Sequence, residues 1–190
     1  MWAELVRERG GVPLGSLADA AGADFEGAAF VAVIRADNEA LPAVAALEAP
    51  QAAAFLALGE GEPDSEAANR LLEALRAGPG DMYLLKEGRV GGDDPERSLE
   101  ITPAHARAIL DEIAGARIEW EDDPDFGYRV AVSVPGIEDC DRFVCVPRFL
   151  YARTERVYDY AALVPELKRR RVALLSALPG LDPTIIDAVR

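Results

Sequence analysis

The apolar positions fall into short runs separated by turn formers. Ala28–Ile34 (AAFVAVI) is a continuous apolar run, and its length predicts a strand buried on both faces. Met82–Leu85 (MYLL) reads as a second buried strand. Two alternating runs, Ile118–Trp120 and Tyr128–Ser133, are split by Asp-Pro and Phe-Gly turn signals, and a Pro-Gly turn with a tethered loop follows them.

Helical spacing takes over between these runs. Residues 2–9 predict a short helix stopped by Gly10-Gly11, and Gly11–Gly27 reads as a connector with a helical turn. Leu41-Pro42 begins a loop, and Pro50 opens a helix carried by Gln51–Leu58. Asp64 or Ser65 caps the next helix, with Ala67, Leu71 and Leu75 as its stripe. Gly88–Pro95 (GRVGGDDP) reads as a flexible polar loop. Thr102-Pro103 starts a helix with Ala106, Ile109, Leu110 and Ile113 on one face. Tyr151–Tyr160 reads as an aromatic, arginine-containing link. A long helix over about Asp159–Leu178 follows, with Leu167, Leu174, Leu175 and Leu178 inward and Pro165 in its first turns or at its true start. Asp182-Pro183 caps a last helix with Ile185, Ile186 and Val189 inward.

Strands and helices alternate, so the class is α/β: a mixed sheet flanked by helices. About four strands are expected, few for this length, so a strand edge is expected to need a partner. At 190 residues the chain predicts a single domain, with an N-terminal helix and connector over 1–27, a core over 28–150 and a helical tail over 151–190.

Composition narrows the function classes. Net charge is −14, with 20 basic against 34 acidic residues, which argues against nucleic acid as a partner. No apolar run has the length of a membrane span, and the first residues lack a hydrophobic signal region, so a soluble, cytoplasmic protein is expected. The basic cluster Lys168–Arg171 reads as a solvated helix face. Cys140 and Cys145 read as reduced, packed thiols.

Candidate chemistry is sparse. The Gly88–Gly92 stretch is rich in glycine, but Asp93 and Asp94 stand where a phosphate cradle needs Lys and Ser or Thr. His105, the sole histidine, has nothing in sequence that orients it as a base. Asp122–Asp125 lacks the spacing of a calcium loop and reads as a turn with solvated carboxylates. No serine has a G-x-S-x-G setting, and no metal-ligand pattern is present, so no catalytic residue and no metal ligand is assigned.

The wording of several stretches nevertheless resembles the C-terminal end of the ATP-dependent phosphoenolpyruvate carboxykinases. The stretches are His105–Ile113 (HARAILDEI), Asp123–Gly127 (DPDFG), Val134-Pro135-Gly136-Ile137 and Pro147-Arg148. Upstream, Phe30–Ile34, Leu41–Val44, Leu47 with Gln51–Gly59, and Tyr83–Gly88 follow in the same order. The resemblance covers residues 28–150 and implies the C-terminal part of a nucleotide-binding domain. The family converts oxaloacetate and ATP to phosphoenolpyruvate, ADP and CO2 in gluconeogenesis, using Mn2+ or Mg2+.

The family's phosphate loop and its manganese-holding lysine and histidine lie upstream of the matched region and have no counterpart in this chain. Its adenine-contacting Arg and Thr align with Glu100 and Ala106, and another family arginine aligns with Ala46. A small loop shift brings Arg97 into the first arginine's place, which implies a nucleotide contact at Arg97. Phosphoryl transfer needs metal ions and cationic clamps. Two readings follow. In one, the chain completes a nucleotide site beside a partner chain carrying the phosphate-loop half, or by self-association. In the other, it is a catalytically inactive, carboxykinase-derived binding or scaffold domain.

Overall fold

The computed structural model describes residues 1–36, 40–59, 63–78, 80–135 and 145–190. Six strands form a mixed sheet in the order β1-β2-β4-β3-β8-β7. They are β1 (Gly11–Leu14), β2 (Phe30–Arg35), β3 (Val44–Leu47), β4 (Met82–Lys86), β7 (Glu119–Asp122) and β8 (Arg129–Ser133). β1, β2 and β4 run parallel, and β3, β8 and β7 complete the sheet with antiparallel pairings. β5 (Arg89–Val90) and β6 (Leu99–Glu100) make a separate two-stranded hairpin.

Helices cover both faces. α2 (Leu17–Ala21), α3 (Ala49–Ala57), α4 (Ser65–Ala77), α7 (Val157–Ser176) and α8 (Pro183–Asp187) pack on the face carrying Val31, Val33, Ala45, Leu84 and Val130. α1 (Trp2–Glu8) and α5 (Pro103–Ala114) cover the other, against Phe30, Ala32, Val44, Leu85 and Ala131. The buried run predicted at 28–34 is β2, whose central residues lie between these two layers.

Two strands of the large sheet escape the sequence reading, and each has a physical reason. β1 lies in the stretch read as a connector, because Gly11 and Pro13 both argue against a strand. β1 is an edge strand, where a missing N–H is tolerated. β3 is a short, alanine-rich segment after Pro42, and its pairing with β4 on one side and β8 on the other makes it a strand. The sheet therefore has six strands rather than about four; β3 lies inside it, and β1 and β7 are its two edges.

The helix signals fare better. Asp64 caps α4 by accepting from the Glu66 and Ala67 N–H groups, although the buried stripe is Ala68, Leu71, Leu72 and Leu75, and Ala67 is half-exposed. Thr102 caps α5, and all four predicted core residues of that helix are buried. The aromatic link is instead a helix, α6 (Pro147–Arg153), opened by Pro147 in its first turn, and α7 begins at Val157. Pro165 lies inside α7, not at its start; it is exposed, as is Ala161, whose carbonyl it has no N–H to reach. Leu174 is half exposed, whereas Leu167 and Leu175 are buried.

Charge placement also differs from expectation. Arg171 is 2% exposed, its guanidinium lying over the rings of Phe126 (4.9 Å) and Phe55 (5.2 Å). The run Lys168–Arg171 is thus not wholly a solvated face. Cys145 is disulfide-bonded and buried, against the expectation of reduced thiols. Cys140 and most of the predicted tethered loop lie outside the described residues.

Candidate functional site

The β5–β6 hairpin carries the residue singled out by the resemblance. Arg97 stands on the hairpin loop, exposed, with its Nε 3.6 Å from the Asp94 carboxylate. The loop is built, not loose. Arg89 donates from Nε to Ser98 Oγ (2.7 Å) and from Nη1 to the Glu100 carboxylate (3.1 Å), and Ser98 Oγ donates to the Asp94 carbonyl. Gly91 and Gly92 adopt positive φ (+91° and +103°). A Cβ on Gly91 would come within 2.4 Å of Leu150 Cδ2, so the backbone approaches α6 as only glycine permits.

Arg156, which sequence reasoning did not single out, pins this loop. Its Nη1 donates to the Gly91 carbonyl (3.0 Å) and its Nη2 to the Arg97 carbonyl (2.7 Å), while the guanidinium covers the Tyr151 ring at 4.2 Å. The sequence signal was present only as an arginine amid aromatic residues. The loop and α6 together leave a groove of about 280 Å3, bounded by Glu96, Arg97, Ser98, Leu99, Leu150, Arg153 and Thr154. Two guanidinium side chains over leucine surface suit a planar or anionic ligand. Arg97 is partly neutralised by Asp94, and the Thr154 hydroxyl is already spent on the Leu150 carbonyl (2.9 Å).

The aligned positions without matching residues are placed differently. Glu100 pairs with Arg89, and Ala106 is fully buried in the core of α5, so neither faces the groove as an adenine contact. Ala46 lies on β3 between its register partners Tyr83 and Arg129. Tyr83 on β4 and Trp120 on β7 lean together across β3 and β8, their rings stacked at 5.6 Å and 20°. Small alanines, Ala46 and Ala131, leave room for this. His105 sits at the α5 N-terminus, its backbone N–H donating to Thr102 Oγ1 (3.2 Å) and its Nδ1 3.0 Å from the Glu100 carbonyl. Its role there is to close the cap.

The turn between β7 and β8 forms a second polar centre, and it is buried. Asp123 is 4% exposed, against the expectation of a solvated carboxylate, and its Oδ1 accepts from the N–H groups of Asp125 and Phe126 (2.9 Å each). Asp125 accepts from the Tyr160 hydroxyl (3.0 Å), and its carbonyl accepts from Lys168 Nζ (2.8 Å). Gln51, at the start of α3, donates to the Gly127 carbonyl (3.0 Å). Burial pushes the Asp123 carboxyl above the usual carboxylate range; its two N–H donors and the Arg148 charge oppose that shift without cancelling it. Burial likewise raises the Tyr128 and Tyr160 hydroxyls well above an ordinary phenol. Arg148 lies over the Phe149 ring at 4.7 Å, and its buried Nε has no hydrogen-bond partner among the described residues.

Among the described residues, no group of three or more His, Cys, Asp or Glu side chains is placed to hold a metal ion, and no helix is long and apolar enough to cross a membrane. Comparison with protein-family models and with curated proteins gave no match.

Proposed function

We propose that this chain is a carboxykinase-like C-terminal domain that offers a nucleotide-facing groove at Arg97 and does not itself carry the phosphoryl-transfer chemistry. The observation that carries this reading is the groove between the β5–β6 loop and α6. There Arg97 stands on a loop braced by Arg89 and Arg156, directly before the helix whose wording matches the family. In this reading ATP and Mn2+ or Mg2+ are held by a partner chain with the phosphate-loop half. The family reaction, oxaloacetate and ATP to phosphoenolpyruvate, then proceeds only in the assembled pair.

A second reading, a catalytically inactive binding or scaffold domain, is favoured by the Tyr83–Trp120 stack beside Ala46. Aromatic rings lie along the sheet row where the family carries an arginine. Titrating Mg2+–ATP into the chain while following backbone amide shifts separates the two. Saturable shifts at Arg97, Ser98 and Arg153 that vanish in Arg97→Ala support the groove. A titration that leaves these amides unmoved, in the chain alone and with the partner half, removes the first reading and leaves the second.

A further inference from the structure

β7 closes one side of the sheet, and no described strand pairs with its outer side. The Asp123 N–H donates to the Tyr128 carbonyl (2.9 Å). In an antiparallel pair, main-chain groups alternate between the partner and the outer side. Glu121, opposite Val130, therefore turns its N–H and C=O toward β8, and Trp120 and Asp122 turn theirs outward. At the opposite edge, Pro13 removes a donor from β1, so the two edges are not equivalent.

The ionisable side chains of β7 itself have one sign, and Arg129 of β8 stands opposite Asp122 on the inner side. Glu119, Glu121 and Asp122 are exposed, and Trp120 is half-exposed where it stacks on Tyr83. A second copy of the chain would bring the same carboxylates against them, on molecules of net charge −14. A lysine or arginine meets the opposite charge and an indole face that attracts cations.

We propose that β7 accepts an extended, lysine- or arginine-bearing segment of a partner protein as an added strand. Main-chain bonds form to Trp120 and Asp122, and the cationic side chains lie against Asp122 and the Trp120 ring, which share one face of the strand. The inference is independent of the carboxykinase reading, because it uses neither Arg97 nor the groove.

The probe is a synthetic peptide of alternating lysine and threonine, with a glutamate–threonine peptide of equal length as control. Binding is read by acrylamide quenching of Trp120, since Trp2 is fully buried, and by amide exchange along β7. The expected result is saturable binding that weakens with salt, and at least about tenfold slower exchange at the Trp120 and Asp122 amides. Asp122→Pro, which removes an outward donor and leaves the β7–β8 ladder intact, is expected to abolish binding, while Asp122→Asn retains part of it. The wild-type exchange map decides the matter should Asp122→Pro fail to fold. Equal binding of the glutamate peptide, equal binding by the proline and asparagine variants, protection elsewhere than β7, or concentration-dependent self-association protecting the same amides would each overturn the proposal, as would no saturable binding.

Discussion

Asp123 carries an ionisable group in a place that disfavours its charge. Its carboxylate holds the β7–β8 turn through two backbone N–H groups, yet burial raises its pKa above the unfolded value. A carboxyl with a raised folded pKa favours the fold below its unfolded pKa, and that contribution is lost as pH rises through the folded pKa. Asp123→Asn keeps an oxygen acceptor without the charge. It is therefore expected to be more stable than wild type at pH 7 in urea melts, with the gap closing as pH falls through the folded pKa and gone below the unfolded value of about 3.9. Asp123→Ala removes the acceptor, and is expected to lower stability by about 1–3 kcal/mol through one buried and one part-buried N–H group left unsatisfied. Gly91 is constrained differently. Gly91→Ala combines a positive φ with a close approach to Leu150, and an expected loss of about 1–3 kcal/mol is measurable by thermal or urea unfolding.

Among the elements, α5 was legible from end to end because its signals are local: Thr102 as cap, Pro103 in the first turn, and apolar residues at helical spacing. Thr102→Ala is expected to cost about 1 kcal/mol, with loss of protection confined first to the α5 N-terminus in amide exchange. β1 and β3 were not legible, because a strand containing proline and a strand of four mostly small residues acquire their state from neighbours distant in sequence. The β5–β6 hairpin was read as a flexible loop for the same reason. Its order comes from Arg156, roughly sixty residues away, and from Leu150 beneath Gly91. Arg171 was read as part of a solvated run, since nothing in KRRR tells which arginine turns inward. The helix face it shares with Leu167 and Leu175 decides that.

For the whole molecule, the arrangement is a three-layer α/β domain whose polar investments lie in loops: the Arg97 groove at the hairpin, and the Asp123 turn held by Gln51, Tyr160 and Lys168. Arg97 lies on the hairpin loop before α5, and the sequence did not show Arg153 in the same groove or Arg156 bracing it, because both lie after β8. Several stretches on which the proposed resemblance rests have structural roles here. Asp123–Gly127 makes the buried turn, Gln51 ties α3 to it, and Pro147 opens α6. These are scaffold roles. The most direct test is phosphoenolpyruvate formation from oxaloacetate with ATP and Mn2+, using this chain alone and then with a phosphate-loop partner half. The account predicts no product from the chain alone and turnover on adding the partner, reduced by Arg97→Ala. Turnover by the chain alone, or an assembled pair that forms no product, would contradict it.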